Sequence, residues 1–222
     1  MLRFVRSLGL VACLTAGAGA AAMAAESPDA MPLDRAREMA VKSPDQQTRL
    51  QAVRVLGARG TMAEVPVLVQ ALRDPDQATR ALAEDALWRV FLRSGDPDVD
   101  AITQDGIRHM QEGELEEAIA RFSRAVARAP RYAEGYNKRA TAYYLMGRFV
   151  ESIEDCERTL ALNPWHFGAL SGAGLNSINL NLPRRALDFF ERALAVHPHL
   201  EGARRNAELL RKYLAARERD SL

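Results

Sequence analysis

The stretch Gly113-Glu114-Leu115-Glu116-Glu117-Ala118-Ile119 opens a pattern that returns every 34 residues through the second half of the chain. Phe122, Ala125 and Pro130 follow it in the first copy of the pattern. The offset is set by two glycines and three prolines, which are Gly113, Gly147, Pro130, Pro164 and Pro198. Reading back from each proline divides this half into three units, at residues 99–132, 133–166 and 167–200.

Small and bulky residues occupy matching places in the other two units. The second unit has Tyr136, Ala140, Tyr143, Gly147 and Pro164, and the third has Leu170, Gly174, Ala186, Phe190, Ala193 and Pro198. This pattern resembles the tetratricopeptide repeat (TPR), a helix–turn–helix unit in which small residues let two helices approach closely. The resemblance implies that proline ends the second helix of each unit, and that Tyr136 and Tyr143 belong to the core.

The second and third units depart from the repeat pattern at four places. Ser152, Cys156 and Thr159 stand where alanine, an aromatic residue and alanine are expected, and Asn181 replaces the glycine of the third unit. A packed helix pair tolerates these volumes, so we expect changes of local packing and an unchanged fold.

A different period, of 31 residues, organises the first half of the chain. Residues 43–49 (Ser-Pro-Asp-Gln-Gln-Thr-Arg) align with residues 74–80 (Asp-Pro-Asp-Gln-Ala-Thr-Arg). Pro-Asp before an apolar-periodic run predicts a helix start, and Gly57 and Gly60 are expected to break the chain between two helices. Residues 31–94 resemble HEAT-like repeats of the short kind also seen in bacterial phycobilisome lyases. The lyase activity does not transfer, because helical repeats are reused for unrelated functions.

These two periods predict an all-α solenoid of helical hairpins. Two HEAT-like helix pairs at residues 31–94 precede three TPR units at 99–200, and a charged capping helix follows at 201–219. That last segment has an apolar stripe, suited to covering the open face of a repeat stack, at Ala203, Ala207, Leu210 and Leu214. The link at residues 95–98 is short, so we expect both repeat types to share one continuous core.

The N-terminus has the features of an export signal. Arg3 and Arg6 precede an uncharged run, and Ala22-Met23-Ala24 places small side chains at the −3 and −1 positions of a signal peptidase site. We therefore predict a signal peptide at 1–24, a linker at 25–30 and a periplasmic mature chain. Two alternatives remain, a retained membrane anchor and a lipoprotein whose lipidated residue is Cys13. In either of these cases the protein would contact a membrane.

Composition argues against several classes of function. Thirty Lys and Arg residues against 29 Asp and Glu give a net charge of +1, without the basic excess that a dedicated nucleic-acid binder needs. Only 6% of the residues are aromatic, which disfavours a stacking platform for single strands. Two cysteines cannot build a disulfide framework, and after leader cleavage Cys156 is the one thiol left.

No catalytic constellation stands out in the sequence. His197-Pro198-His199 can be interpreted as a metal-binding pair, but no neighbouring carboxylate or cysteine cluster completes it. Glu114, Glu116 and Glu117 suit a helix start, where the dipole stabilises them, and no glycine-rich phosphate loop is present. We therefore predict no catalytic residue, no cofactor and no metal, and a chain that is not an enzyme.

The resemblance to TPR proteins implies a concave groove lined by the first helix of each unit. In that family, positions 2, 5, 9 and 12 of a unit point into the groove, and Tyr144 would be its rigid anchor. The candidate partner-binding residues are Thr103, Ile107, Met110, Asn137, Lys138, Thr141, Tyr144, Ser171, Leu175, Ile178 and Arg205. A carboxylate clamp is not predicted, because the first unit lacks the Lys/Asn pair. The alternative is a solvated groove with no ligand.

The leading functional hypothesis is an exported, non-enzymatic module that binds a peptide or protein in the bacterial cell envelope. A second hypothesis is an assembly or chaperone factor that binds one partner through each repeat type. A third is an enzyme, or an enzyme subunit, with its site at the junction of the two halves, near Arg93 to Asp100.

Overall fold

The computed structural model describes residues 31–220, and all regular elements in that range are helical. The helices are α1 (Leu33–Lys42), α2 (Gln46–Arg59), α3 (Val65–Ala71), α4 (Gln77–Phe91), α5 (Pro97–Gln111), α6 (Leu115–Arg128), α7 (Ala133–Leu145), α8 (Phe149–Leu162), α9 (Phe167–Asn179), α10 (Pro183–Val196) and α11 (Glu201–Asp220), with a 3₁₀ turn at Met62–Glu64. The predicted all-α fold is confirmed. The predicted leader, its cleavage site and Cys13 lie outside the described residues.

Both Pro-Asp sequences begin helices, as predicted. Asp45 accepts a hydrogen bond from the Thr48 backbone N–H at 2.7 Å, and Asp76 accepts the equivalent bond from Thr79 at 2.9 Å. Each carboxylate satisfies an N–H that the first helical turn leaves unpaired. The hydroxyl and the backbone N–H of Thr48 hold the pKa of Asp45 below its usual range, and the backbone N–H of Thr79 does the same for Asp76. The 31-residue period in the sequence therefore corresponds to two equivalent helix N-caps.

The expectation that Gly57 breaks the chain was wrong. Gly57 is buried inside α2, and a Cβ atom built on it would lie 2.7 Å from the Cβ of Ala86 on α4. The glycine is needed for the close approach of two helices, since any side chain there would collide with α4. Helix α2 ends two residues later, at Arg59, and Gly60 follows as its C-cap.

The three TPR units are helix pairs α5/α6, α7/α8 and α9/α10, each with a tight turn between its helices. Gly113 and Gly147 in the first two turns have φ values of 81° and 75°, and Asn181 in the third has φ 56°. Asparagine is among the few residues that adopt the left-handed region with modest strain. The departure at Asn181 therefore preserves the turn.

A small residue facing a large ring lets the helices of the outer units pack closely. A Cβ atom on Gly106 would lie 2.6 Å from the Phe122 ring, and one on Gly174 would lie 2.8 Å from the Phe190 ring. The middle unit has Ala140 at the equivalent place, and Cys156 replaces the ring. The extra methyl of alanine is therefore matched by a smaller partner.

The HEAT-like half packs against the loops that join the TPR units. Phe91 of α4 stacks on His166 with centroids 4.6 Å apart, and Trp88 meets Phe167 edge-on at 5.0 Å. Arg73 donates hydrogen bonds to the last carbonyl groups of α10. One cluster of buried apolar residues runs from Met31 in the first half to Leu210 in α11. The predicted shared core is therefore present between the HEAT-like half and the last two TPR units, whereas buried residues of the first unit, around Val99 and Phe122, form two separate clusters.

No helix within residues 31–220 combines the length and apolar character required to cross a lipid bilayer.

Candidate peptide-binding groove

The candidate groove residues lie on four helices, with Thr103, Ile107 and Met110 on α5, Asn137, Lys138, Thr141 and Tyr144 on α7, Ser171, Leu175 and Ile178 on α9, and Arg205 on α11. Part of this set lines one cavity of about 350 Å³ between α7, α8 and α9, namely Asn137, Thr141, Tyr144, Ser171 and Leu175. The structure therefore brings the middle of the predicted row together around a shared concave space.

The floor of this cavity has polar atoms that lack hydrogen-bond partners. The amide nitrogen of Asn176 donates to Ser152 Oγ at 2.8 Å and to the Gly172 carbonyl at 2.9 Å. Within the described part of the chain, the buried Oδ1 of Asn176 and the buried Oγ of Ser171 have none. A buried acceptor without a donor is costly, so this floor favours a ligand that donates an N–H group.

Asn176 is a lining residue that sequence reasoning missed. It is the tenth residue of its unit and therefore lies outside the four positions that the family pattern assigns to the groove. A signal was present, because asparagine is rarely buried and residue 176 lies four residues after Gly172 on the same helix face. Turning that signal into a site required the position of Ser152, which fixes the amide orientation.

Cys156 also lines the cavity, at the position where the outer units have a phenylalanine. Burial raises the pKa of its thiol to about 12, so the side chain is a neutral, apolar wall at physiological pH. Together with Ala140, the small side chain of Cys156 forms part of the apolar wall of the groove.

Several predicted residues have other surroundings. Thr103 is 1% exposed and donates its hydroxyl to the Val99 carbonyl, so its side chain is not available to a partner. Ile107 and Met110 are partly buried and pack against the Phe122 cluster. Ile178 is exposed at the end of α9. Arg205, on α11, is exposed and does not line the cavity.

Glu134 does not line the groove itself but binds two of the predicted groove residues. This buried carboxylate accepts hydrogen bonds from Asn137 Nδ2 at 3.2 Å, Lys138 Nζ at 3.1 Å and His166 Nε2 at 2.6 Å. Burial acts to raise the pKa of Glu134, but the bonds and charges of His166 and Lys138 outweigh it and hold the pKa below its usual range. Asn137 and Lys138 are therefore occupied within the chain.

Trp88 lies against the end of the groove where Gly168 is found. A Cβ atom on Gly168 would lie 2.5 Å from the Trp88 ring, and the Lys138 ammonium lies 5.8 Å from the ring centroid. The opposite end has three exposed apolar side chains, Leu145, Ile178 and Leu182. The HEAT-like half thus contacts the groove at Gly168, and exposed apolar side chains lie at its other end.

The histidines provide little support for a metal centre. His197 is buried and its Nε2 lies 3.2 Å from Glu84, whereas His199 is exposed. Elsewhere His109, Glu112 and Glu114 bring ligand atoms within 4.8 Å of one another at the α5–α6 turn. There the His109 Nδ1 already pairs with Glu114 at 2.5 Å, which explains that cluster without an ion.

The stacked helix pairs define a helical-repeat scaffold, a class in which each repeat packs on its neighbours. The sequence profile described as HEAT repeats matches residues 17–88 and 33–121, that of the TPR repeat matches 106–147, and that of the tetratricopeptide repeat matches 133–166. A TPR repeat-containing protein of Rhizobium etli is 33% identical over 144 residues, which span 64% of this chain and 69% of the relative. The chain belongs to the TPR repeat family.

Eukaryotic relatives match smaller parts of much longer proteins. Sperm-associated antigen 1 of Mus musculus is 32% identical over 49% of this chain and 11% of its own length. The Hsp70-Hsp90 organizing protein of Triticum aestivum is 31% identical over 66% of this chain and 25% of its own length.

Solved TPR domains share the fold of the second half. The first TPR of Spaghetti (RPAP3) bound to HSP90 peptide SRMEEVD is 24% identical and covers 53% of this chain and 93% of its own, with a TM-score of 0.52. The Sgt2 TPR domain of Aspergillus fumigatus is 22% identical and covers 56% and 83%, with a TM-score of 0.53.

Proposed function

We propose that this protein is a non-catalytic scaffold that binds an extended peptide segment of a partner protein in the groove between α7 and α9. The observation that carries the proposal is the cavity of about 350 Å³ with the unpartnered Asn176 Oδ1 and Ser171 Oγ on its floor. A peptide backbone N–H is the donor that such a floor requires, and an extended segment leaves its N–H groups free. The peptide-bound TPR of RPAP3 provides a precedent in the same fold.

The lining of the cavity also indicates which side chain the peptide places there. Apart from the amide and hydroxyl groups, the walls are apolar, with Leu175, Cys156 and Ala140 among them. No free cation lines this cavity among the described residues, since Lys138 lies outside its lining and pairs with Glu134. The scaffold therefore binds an apolar residue and not an acidic C-terminus.

A glycine on the cavity wall allows a sharp test of this binding site. A Cβ atom on Gly172 meets only Cys156 Sγ, at an ordinary 3.4 Å, so Gly172→Leu fits the backbone and fills the space with a side chain. The same substitution at Gly202, whose Cβ would meet nothing within 4 Å, is the matched control. Gly172→Leu, in the interior of α9, should favour the helix by roughly 1 kcal/mol, and Gly202→Leu, in the first turn of α11, should favour it less.

The measurement is selection of peptides from a random library on the wild-type protein, followed by titration of the best binder. Gly172→Leu should weaken that binder at least tenfold at unchanged or increased melting temperature, and Gly202→Leu should leave its affinity unchanged. Equal affinity of the wild type and Gly172→Leu would refute the groove as the binding site.

We further propose that the scaffold works in a bacterial cell envelope. The support is the positive start at Arg3 and Arg6, the uncharged run that follows, and the small residues around Ala24. The test is expression of the full chain in a bacterium, fractionation, and N-terminal sequencing of the periplasmic form. A mature chain that starts at Ala25 is expected, and an intact N-terminus in the cytoplasm would contradict the proposal.

A further inference from the structure

A second cavity, of about 480 Å³, lies where the HEAT-like half meets the loops that join the TPR units. Met62, Phe91 and Arg93 line it from the first half, and Arg131, Leu162 and Asn163 line it from the second. It lies apart from the groove between α7 and α9, and the two cavities have no lining residue in common.

Asn163 lines this cavity and has a side-chain hydrogen-bond donor that is not used. The residue is 1% exposed, and its Oδ1 accepts the backbone N–H of Trp165 at 3.1 Å, which fixes the orientation of the amide. Its Nδ2 is buried and has no hydrogen-bond partner among residues 31–220. Leaving such a donor unpaired costs free energy, which a ligand with an acceptor oxygen would recover.

Arg93 adds a positive charge that the protein only partly compensates. Its terminal nitrogens donate to the carbonyl oxygens of Ala58 at 2.6 Å and Gly57 at 2.5 Å, while its buried Nε has no partner within the described chain. Burial, the largest effect, lowers the pKa of the guanidinium. A partly buried guanidinium with an unpaired N–H group is stabilised by a nearby anion. Arg131, exposed at the rim, adds a second positive charge.

The carboxylates around the cavity do not supply that anion. Glu134, on the wall, accepts hydrogen bonds from His166 and Asn137 and pairs with Lys138. Asp100, one of the two acids whose charge acts on Arg93, accepts the backbone N–H of Ser94 at 2.8 Å. The other, Glu64, pairs with Arg37. The lining of the cavity also includes the apolar residues Phe91, Leu162 and Met62.

We propose that this junction cavity binds a small organic acid with an apolar body. Its carboxylate accepts a hydrogen bond from Asn163 Nδ2 and is attracted by Arg93 and Arg131, and its body packs against Phe91 and Leu162. A chain-terminal carboxylate after an apolar residue has the same chemistry as a free acid. This site would tie ligand binding to the contact between the two repeat types, independently of the peptide groove.

The test is calorimetric titration of the full chain with phenylacetate, and with phenylacetamide as the uncharged match. Asn163→Asp keeps the Oδ1 that accepts from Trp165 but replaces the donor with a negative charge, so phenylacetate affinity should fall at least tenfold. Arg131→Gln should lower it about threefold, since this charge is exposed. Arg124→Gln, an equal change of charge on α6 away from the cavity, should leave it unchanged.

The source of the carboxylate is resolved by a parallel titration with acetyl-Gly-Phe and its C-terminal amide. Binding of either acid, with rejection of its amide and sensitivity to Asn163→Asp, supports the site. No binding of phenylacetate or acetyl-Gly-Phe, equal binding of acid and amide, or affinity unaffected by Asn163→Asp in a variant with the wild-type circular dichroism spectrum would overturn the proposal.

Discussion

Asn181 preserves the turn of the third repeat although it replaces the glycine of the repeat pattern. With φ 56° it occupies the conformation of Gly113 and Gly147 in the preceding units. Asn181→Ala should lower the free energy of unfolding by about 1 kcal/mol. The Cβ atom of alanine is strained at a positive φ, and alanine lacks the polar side chain that lets asparagine adopt the left-handed region. Asn181→Gly should be neutral or slightly stabilising. Urea denaturation measures both. Asn179→Ala at the exposed end of α9, which removes only an exposed hydrogen bond to the Leu175 carbonyl, is the control and should have a smaller effect.

Glu134 makes the stability of the protein depend on pH. Its pKa is lower in the folded state than the unfolded value of about 4.3, so its stabilisation is complete above that value and is lost as pH falls through the folded pKa. Glu134→Gln should therefore lower the free energy of unfolding by about 3 kcal/mol at pH 6 and by clearly less at pH 3. Denaturation of the wild type and the variant at both pH values measures the difference, and an equal loss at both would contradict this assignment.

Individual residues also show where sequence reasoning was sufficient. Asp45 and Asp76 could be predicted as helix starts, because capping depends only on the few residues that follow. The packing of Thr103 and the role of Asn176 could not, since both depend on a neighbouring helix. Local hydrogen bonds are encoded locally, whereas burial of a polar group is a property of the packed stack.

In each helix pair, the repeat pattern couples the volumes of two facing residues, one on each helix. In the middle unit, Cys156→Phe alone should lower the free energy of unfolding by about 2 kcal/mol, since the ring would press on the Ala140 methyl. Adding Ala140→Gly recreates the combination found at Gly106 and Phe122 and should recover most of that loss. A double-mutant cycle by denaturation measures this coupling. Additive effects of the two substitutions would show that the pairing does not govern packing.

The groove itself was only partly predictable at this scale. The 34-residue period placed Tyr144, Leu175 and Ser171 on the correct helices, and they line one cavity. It could not predict that Trp88 of another repeat type lies against Gly168 at one end, because that contact joins residues far apart in sequence. Nor could it show that Cys156 lines the groove, since the pattern treats it as a tolerated exception.

For the whole molecule, the shared core determines how the chain unfolds. The 31- and 34-residue periods indicate two kinds of repeat, yet the side chains of Phe91 and His166 stack across the boundary between them. Separate truncations are thus poor tests of a two-partner function, because each would expose the apolar surface that the other half covers.

Phe91→Ala tests this cooperativity directly. Phe91 is 3% exposed, and its removal should lower the free energy of unfolding by about 3–5 kcal/mol, because the cavity it leaves is bordered by both halves. Hydrogen exchange of backbone amides in α2 and in α8 should then accelerate together, since both helices lose protection through the same global opening. Val150→Ala, an exposed apolar truncation on α8, is the control and should change neither. Faster exchange in α2 with unchanged exchange in α8 would mean that the HEAT-like half unfolds on its own, and the single-core description would then be wrong.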